Sequence, residues 1–562
     1  MRLPVREAGL GGTRGLDWIF GAAIAVAAGC VYLALLPPLY HFDGYMYRLK
    51  AIEPFSPNFV NPHHLLWHFV QMALVRVEAA LGRTDTVPLQ WFGIAVNCLT
   101  LFFFHRLLWA CGRDRLFAAA ATVFLSLSPV FWHMGFQNLP YPLTYLLVVL
   151  YLLALCGKPG EGLSTARLAW AGSAIAAAIF MQQAAVLLVP AGIAAVAIGS
   201  GGRVVFRWLR AISWGASAGI LVLGAYVATG WFVGARSAAA FVRWVTMYMH
   251  TEHPVQIQMP EFIGKAFIGI VRSSVQGWGL EGPVKEHFSG RAVLALYSCV
   301  GFLAIAVVVA AWRLSGRHRF VELVVRDAPF AAGILSIAAW SAFVFSWEPT
   351  GHFWNLILFP GFVCLAVALR EGALSGRSVM LAVLLCASLW NLRANHERDK
   401  FGSINSPEPL VAAVRSHVGE KDIFLVLGRD WFADMDYDLL FECLDLTERN
   451  PGRPLLDDYV LQPGGRDSWS RDLGDEIVGT LEKGGRVFLA DHVLWPSSYA
   501  GLRQEDDPYS EFVNTRYRAL DTGRLQKEVE DFFSRYDLRE NAFVIGHDSY
   551  WEVLPRKPAY DR

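Results

Sequence analysis

The pattern of apolar and polar positions divides the chain into two parts. Between residues 18 and 392, apolar runs of helical length follow one another, separated by polar links. From 395 to 562, short apolar runs alternate with charged stretches, as in ordinary soluble domains. About 20 apolar residues are enough to cross a hydrocarbon core about 30 Å thick. The pattern therefore predicts a polytopic α-helical membrane domain over residues 1–392 and a soluble α/β domain over residues 395–562.

Eleven membrane spans are predicted in the first part. They cover roughly residues 18–38, 88–108, 116–134, 139–156, 168–182, 183–199, 211–233, 292–312, 328–346, 353–370 and 377–392. Two long loops lie on one side of the membrane, at residues 39–87 and 234–290. Long loops inside a compact domain usually carry function, so these two are the first places in which to look for a site.

Arginine and lysine residues indicate the orientation of the spans. They lie in every second link, at Arg2, Arg6, Arg14, Arg106, Arg113, Arg115, Lys158, Arg167, Arg203, Arg207, Arg210, Arg313, Arg317, Arg319, Arg326, Arg370 and Arg377. Short links on the other side, such as 135–138 and 347–352, carry none. Since basic residues favour the cytoplasmic side, the N-terminus is predicted to be cytoplasmic. An odd number of spans then places the C-terminal domain on the extracytoplasmic side.

Whether residues 64–81 form a further span decides whether the number of spans is odd or even. This stretch contains His68, Gln71, Arg76 and Glu78, which are costly at the centre of a bilayer. Its apolar residues recur at nearly helical spacing, at Leu65, Leu66, Phe69, Met72 and Val75. We therefore predict an amphipathic helix that lies on the outer interface instead of a twelfth span.

Strand-like and helix-like runs alternate in the second part. The strand-like runs are residues 422–428, 486–491, 541–545 and 550–554, and the helix-like runs are 436–446 and 525–536. This alternation predicts a small α/β domain with a partly parallel sheet. Gly428 and Asp491 lie at the carboxyl ends of two strands, where such sheets bind ligands. No G-x-G-x-x-G sequence occurs within residues 395–562, which leaves a dinucleotide site in this domain with little support.

Composition supports the membrane interpretation and excludes several classes. Hydrophobic residues make up 54% of the 562 residues and charged residues 17%, whereas soluble domains average about 25% charged. The formal net charge is zero, so nothing indicates a nucleic-acid partner. The eight cysteines include no C-x-x-C pair, which excludes a disulfide scaffold and a cysteine-based zinc site.

The first candidate for chemistry is an acidic residue just beyond the first span. Asp43 lies in the sequence His41-Phe42-Asp43-Gly44-Tyr45. It would either cap the next helix or act as a general base that takes a proton from an acceptor hydroxyl or amine. Its spacing from the span supports the two interpretations equally.

A pair of histidines forms the second candidate, in the sequence Asn61-Pro62-His63-His64. One interpretation is that they simply start an interfacial helix, and another is that they contact a phosphate. Together with His41 and Asp43, they could also bind a divalent metal ion. The spacing of these four residues matches no compact metal motif, so a phosphate contact has at least as much support as a metal site.

The third candidate is the outer turn that precedes the tenth span. Glu348 and His352 are predicted to face the same outer surface as Asp43. His352 and Asn355 are three residues apart at a helix start and therefore lie on one side of it. The N-terminus of a helix suits an anionic phosphate, although the same residues could serve only to cap two helices.

Polar residues at the ends of other spans complete the candidate set. Asn138 begins the fourth span, and Gln182 with Gln183 interrupts the apolar stretch 168–199. Polar residues within spans are rare, and they either carry function or bridge helices. Arg243, in the second long loop, would neutralise a phosphate headgroup or lie on a solvated face.

Taken together, these residues resemble the GT-C superfamily of polyprenyl-phosphate-dependent glycosyltransferases. The closest resemblance is to the bacterial branch with aminoarabinose transferases and protein O-mannosyltransferases. That branch carries an acidic residue after the first span and then a His-Pro-Pro-Leu corner. The corresponding sequences are Asp43-Gly44-Tyr45, Asn61-Pro62-His63-His64-Leu65-Leu66, Leu127-Ser128-Pro129, Asn138 with Tyr141-Pro142-Leu143, Met181-Gln182-Gln183 and the segment 353–360. The resemblance covers about residues 15–392.

Two positions depart from the family pattern. Gly44 stands where the family often has Glu after its Asp, and His352 with Asn355 stands in the late segment that usually carries Arg. What the resemblance implies is inverting sugar transfer from an undecaprenyl-phosphate or similar donor to a glycan, lipid or protein acceptor. The reaction would take place on the outer face of a bacterial inner membrane, with Asp43 as the base. Phosphate is a good leaving group, so no nucleotide cofactor is expected.

Three other classes remain open at this stage. A transporter or lipid-linked sugar flippase would use the same intramembrane polar residues as a substrate path, although transporters often contain internal repeats and none is evident. A non-catalytic scaffold would display the soluble domain. Among enzymes, an O-antigen polymerase or ligase is the nearest competitor.

Overall fold

In the computed structural model, the chain forms two compact units. The first comprises Met1–Pro37, Pro54–Leu74 and Val87–Ile404, and the second comprises Pro38–Glu53, Val75–Thr86 and Asn405–Arg562. The residues that the structure describes are 10–37, 44, 47–48, 51, 60–81, 87–156, 162–246, 274–275, 319–347, 355–371, 377–404, 416–419, 421–426, 452–454, 465–494, 522–545 and 548–556.

Helices account for most of the first unit, and one of them, α2, continues into the second. In chain order they are α1 (Leu10–Ala34), α2 (Trp67–Ala80), α3 (Val87–Gly112), α4 (Arg115–Leu127), α5 (Pro129–Phe136), α6 (Tyr141–Leu155), α7 (Thr165–Met181), α8 (Val189–Gly199), α9 (Val204–Phe232), α10 (Ala238–Val245), α11 (Arg319–Arg326), α12 (Ala328–Trp347), α13 (Asn355–Arg370) and α14 (Arg377–Ile404). Predicted spans within the described residues coincide with these helices. The predicted span at 292–312 lies outside them.

Three helices of the described part are long and apolar enough to cross a membrane. They are α3, α9 and the Arg377–His396 portion of α14, and α4 with α5 makes a fourth crossing if the bent pair is one span. Shorter apolar helices are Trp18–Ala34, Tyr141–Leu155, Thr165–Met181, Gln183–Gly199, Ala328–Val344 and Leu356–Arg370. Several predicted spans are therefore shorter, as helices, than the roughly 20 residues that an upright crossing needs.

The bend between α4 and α5 shows how this bundle accommodates irregular backbone. The two helices meet at Ser128-Pro129 with an angle of 55°, because proline cannot continue the hydrogen-bond ladder. Side chains from α1, α3 and α14 donate to carbonyl groups around the bend. These bonds run from Tyr32 to Ser126, from Asn97 to Phe131 and from Asn395 to Leu127, with lengths of 2.6, 3.0 and 2.9 Å. The protein thus satisfies backbone groups that lipid could not.

Two glycines permit a close approach of α3 and α5. A Cβ atom added to Gly93 would overlap the carbonyl oxygen of Gly135, and one added to Gly135 would overlap the Asn97 amide. Small residues at such crossings let helix backbones pack tightly where the hydrophobic effect contributes little.

Within the predicted stretch 64–81, the helix α2 covers Trp67–Ala80, and the protein covers most of its polar residues. His68, Gln71 and Glu78 are buried and Arg76 is exposed, whereas Phe69, on the predicted apolar stripe, is 46% exposed. Periodicity identifies the two faces of a helix without showing which of them the protein covers. Since lipid would cover the apolar side of an interfacial helix, burial of the polar side is compatible with that location.

The second unit contains a five-stranded sheet with the order β2-β1-β3-β5-β4. Its elements are β1 (Ile423–Val426), β2 (Gly452–Pro454), α15 (Gly465–Glu482), β3 (Val487–Ala490), α16 (Asp491–Leu494), α17 (Thr522–Phe533), β4 (Tyr536–Ile545) and β5 (Asp548–Pro555). Strands β2, β1 and β3 are parallel, whereas β5 and β4 add on antiparallel. The predicted partly parallel sheet is therefore present.

The sheet differs from the prediction in detail. The terminal hairpin begins earlier than predicted, at Tyr536, because β4 continues past an irregularity between Arg539 and Phe543. Consequently α17 ends at Phe533, short of the predicted residue 536. Strand β2 was not predicted because Gly-Arg-Pro carries no strand signature. The predicted helix 436–446 and Gly428 lie outside the described residues.

The second unit also contains a buried ion pair between its two N-terminal segments. The Nε and one terminal nitrogen of Arg48 each lie 3.3 Å from the Glu78 Oε2 atom. Both side chains are fully buried. An ion pair removed from water is costly to form and more costly to break, because one partner then remains as a buried charge.

Replacing Arg48 with Met is expected to destabilise the protein by about 3–5 kcal/mol. The double variant Arg48→Met/Glu78→Leu should recover most of this loss, because it removes both charges. Melting temperatures in detergent would measure both effects. Arg377→Met is the matched control, since its pair with Asp114 is half exposed and should contribute at most about 1 kcal/mol. A double variant as unstable as Arg48→Met would contradict this account.

Candidate functional site

The Asn61–His64 corner is a capped turn that leads into α2. The Asn61 Oδ1 atom accepts a hydrogen bond of 2.8 Å from the His63 backbone N–H. Pro62 occupies the first position of the 3₁₀ turn Pro62–His64, where its missing N–H costs nothing. Asparagine is a favoured N-terminal cap because its side-chain oxygen accepts a hydrogen bond from a backbone N–H that has no acceptor within the helix. The local sequence therefore fixes the orientation of the two histidines.

A second irregular segment lies where α7 ends. Gln182 is extended, with φ −147° and ψ 108°, and a 3₁₀ helix follows at Gln183–Leu188. The predicted interruption of the apolar stretch 168–199 is therefore present. Such a break frees backbone carbonyl groups at the end of an apolar helix.

The histidine corner and this break are held together by hydrogen bonds. The His64 Nδ1 atom lies 2.8 Å from the Met181 carbonyl oxygen, and the Leu66 N–H donates to the Phe180 carbonyl at 3.0 Å. The Tyr226 hydroxyl of α9 donates to the Pro62 carbonyl at 2.8 Å. The structure thus brings His63 and His64 beside Gln182.

The bond to Met181 determines which His64 nitrogen carries a proton. A carbonyl oxygen only accepts, so Nδ1 must be the donor. In neutral His64, the Nε2 atom then carries the lone pair, and in the protonated form it becomes a second donor. His64 is partly exposed, and the hydrogen bond from Nδ1 holds its ring in place.

His63 has a different electrostatic character. Burial, with a smaller contribution from the neighbouring His64, lowers the pKa of His63 from its ordinary value of 6.5 to about 4. His63 is therefore neutral at physiological pH. A neutral imidazole can donate or accept one hydrogen bond, but it does not offer a positive charge to a phosphate.

Lowering the pH from about 6.5 to about 4 should destabilise the protein through His63. In this window unfolded His63 binds a proton and folded His63 does not, so stability falls as the pH falls. Melting temperatures measured across this range should fall less steeply for His63→Gln than for wild type. His396→Gln, at an exposed position on α14, is the control and should keep the wild-type slope. Parallel slopes for wild type and His63→Gln would contradict the prediction.

Gln183 connects the break to the helix that carries Arg243. Its Nε2 atom donates to the Val245 carbonyl at 3.3 Å, and Val245 is the last residue of α10. Arg243 lies on that helix and is exposed. Because its guanidinium group is exposed, it is accessible to an anionic headgroup.

The other predicted site residues lie elsewhere or outside the described part. Asn138 is buried in the turn between α5 and α6, with φ 55°, a left-handed conformation that asparagine tolerates. Asn355 is the first residue of α13. Asp43, Glu348 and His352 lie outside the described residues, so the predicted set is brought together only around His63, His64, Gln182, Gln183 and Arg243.

No group of three or more His, Cys, Asp or Glu side chains that could hold a metal ion occurs within the described residues. Of the four residues considered for a divalent ion, His41 and Asp43 fall outside that part of the chain. Both the metal site and the phosphate contact by His63 and His64 therefore stay predictions.

Two residues of this region were missed by the sequence analysis. Tyr226 holds the Pro62 carbonyl, but a single tyrosine within an apolar span gives no signal of that role. Gln71 lies seven residues after His64 on the covered side of α2.

The fold and the site define one class of structure. It is an apolar helical bundle in which a histidine corner is hydrogen-bonded to the end of a broken helix. No protein-family model matches the chain, and no curated protein matches it. Solved structures of two proteins are similar to it, an archaeal oligosaccharyltransferase and the bacterial protein ArnT.

The first of these proteins is the oligosaccharyltransferase of Archaeoglobus fulgidus. Its complex with Zn and sulfate matches with a TM-score of 0.44 and 13% identity, over 87% of this chain and 70% of that chain. The complex of the same enzyme, AglB, with an inhibitory peptide and a dolichol-phosphate gives 0.41 and 12%, over 94% and 74%. ArnT from Cupriavidus metallidurans bound to undecaprenyl phosphate gives 0.38 and 12%, over 85% and 94%.

Proposed function

We propose that this protein transfers a sugar from a polyprenyl-phosphate-linked donor to a glycan, lipid or protein acceptor, with inversion at the anomeric carbon. The observation that carries the proposal is the bond between His64 and the Met181 carbonyl. It fixes a histidine at the broken end of an apolar helix, where a phosphate headgroup would meet an apolar groove for its lipid tail. The sequence resemblance around Asp43 and Pro62 supports the same reaction.

The reaction needs a base, an acceptor and a leaving group. Asp43 takes the proton of the acceptor hydroxyl or amine as that atom attacks the anomeric carbon. The bond from the anomeric carbon to the phosphate oxygen breaks, and its electron pair leaves with the polyprenyl phosphate. The sugar therefore changes its anomeric configuration, and the proton remains on Asp43 until it is lost to solvent.

Negative charge on the departing phosphate would be stabilised by groups fixed in advance. The proton on the Nε2 atom of a protonated His64 is the donor best placed for this, because Nδ1 is already held by Met181. Fixed donors of this kind lower the barrier without reorganisation during the reaction. Neutral His63 contributes a hydrogen bond, and Arg243, Glu348, His352 and Asn355 complete the proposed contacts to donor and acceptor.

The chemistry is proposed to occur on the outer face of a bacterial inner membrane. The distribution of Arg and Lys places the loops 39–87 and 234–290 on that side. Residues 395–562 would then lie in the periplasm and position the acceptor. No nucleotide is needed, because the lipid phosphate is itself the leaving group.

Proteoliposomes that contain a labelled polyprenyl-phosphate sugar separate transfer from transport. With membranes of a strain that lacks this protein as the acceptor source, we expect labelled sugar to leave the lipid and appear on an acceptor. A flippase would instead move the intact labelled lipid between leaflets. Translocation of intact donor without loss of its sugar would overturn the proposal.

A further inference from the structure

Gln71 is a buried amide without a hydrogen-bond partner among the residues that the structure describes. Its side chain is 0% exposed, and neither its Oε1 nor its Nε2 atom makes a hydrogen bond there. A glutamine amide offers two donors and two acceptor lone pairs. Native proteins rarely bury such a group unsatisfied, because each missing bond costs free energy. Within the described part of the chain, a bound ligand or an ordered water would satisfy this amide.

The position of Gln71 indicates where that ligand lies. Within the first unit, Gln71 follows His68 by three residues on α2, so these two side chains share one face of that helix. His68 is buried as well, whereas Phe69, on another side, is exposed. The 3₁₀ turn that ends at His64 leads into α2, and the His64 ring is tied to the Met181 carbonyl. The amide of Gln71 thus lies on the covered face of the helix that follows the proposed phosphate contact.

A second buried amide oxygen belongs to the same region. Gln182 directly follows Met181 and is 5% exposed, and its Oε1 atom makes no hydrogen bond within the described part. An ionised phosphate offers only acceptors, so it cannot satisfy an amide oxygen. A hydroxyl or amine group can, because each of them donates. The two amide oxygens therefore suit a polyhydroxylated group.

We propose that Gln71 and Gln182 bind hydroxyl or amino groups of the sugar that is transferred, and so determine which donor is used. This inference rests on the proposed function, and it assigns Gln182 to the sugar and not to the phosphate. Because an unsatisfied buried amide destabilises the ligand-free protein, replacing it with an apolar side chain of similar size should not lower stability.

The test compares ligand-induced stabilisation in wild type and Gln71→Met, with two probes. Polyprenyl phosphate without a sugar should raise the melting temperature of both proteins equally. The donor that wild type uses should raise that of wild type further and leave Gln71→Met at the level of the lipid phosphate alone. The affinity of the variant for this donor should fall by about 10- to 100-fold.

Analogues of the same donor that each lack one sugar hydroxyl then identify the hydroxyl that each glutamine contacts. The loss caused by Gln71→Met should disappear for the monodeoxy analogue that lacks the contacted hydroxyl, and Gln182→Met should behave likewise. Gln90→Met is the control, because the buried amide of Gln90 donates to the Pro37 carbonyl; it should affect all analogues equally.

Three outcomes are distinguishable. If neither probe stabilises wild type, the proposed function itself fails. If both proteins respond equally to the sugar-bearing donor, the function stands and the sugar contact is overturned. The same conclusion follows if Gln71→Met melts well below wild type in the ligand-free state, because the amide would then have a structural partner.

Discussion

Replacing Asp43 with Asn is expected to reduce sugar transfer by about 100- to 10,000-fold, the usual contribution of a positioned general base. Asparagine keeps the size and shape of the side chain but cannot accept the proton of the attacking group. Donor binding should change little, because the base acts on the acceptor. The loss should therefore appear in kcat, measured as initial rates with a saturating polyprenyl-phosphate sugar.

This substitution also separates the two interpretations of Asp43. If the residue only caps a helix, asparagine should replace it without loss, since Asn and Asp are about equally good caps. Asp114→Asn is the matched control, because Asp114 caps α4 by accepting from the Phe117 N–H. Full activity of Asp43→Asn would remove the base assignment and leave a helix cap.

Replacing His64 with Asn is expected to reduce kcat by about 100- to 1,000-fold, as does the removal of one fixed donor to a developing negative charge. An asparagine amide can still donate to the Met181 carbonyl in place of Nδ1, so the corner should keep its fold. It has no atom in the place of Nε2, so the proposed contact with the leaving phosphate is lost. Rates and melting temperatures together would check this.

His64→Gln is the complementary variant. Its longer side chain places an amide nearer to the position of Nε2 and gives up the bond to Met181. We expect this variant to melt at a lower temperature than His64→Asn and to retain more activity per folded molecule. The reverse order, with an active Asn variant and an inactive Gln variant, would show that His64 serves the fold alone.

The helical segments of the first unit could be predicted because each is an apolar run bounded by polar links. The break at Gln182 was also predictable, since two amides interrupt an apolar stretch. Their consequence was not predictable: the bond from His64 to Met181 joins residues that are 117 positions apart. A contact of that kind depends on how helices pack, which periodicity does not determine.

The burial of α2 illustrates the same limit. Apolar spacing correctly predicted an amphipathic helix over 64–81, yet sequence alone does not say whether lipid or protein covers a given face. The pair between Arg48 and Glu78 is similar, because neither residue in isolation indicates that its charge is buried. The sequence motif therefore identified part of the candidate site, namely His63 and His64. Gln71 and Tyr226 could be recognised as members of it only from the packed structure.

The most direct test of the account is a transfer assay with a panel of synthetic polyprenyl-phosphate sugars, comparing purified wild type with Asp43→Asn. The assay should measure both the sugar that reaches the acceptor and the polyprenyl phosphate that is released. We predict that at least one donor gives equal amounts of the two products with wild type, and that both are lost in the variant. Absence of released polyprenyl phosphate with every donor, or equal turnover by the variant, would contradict the account.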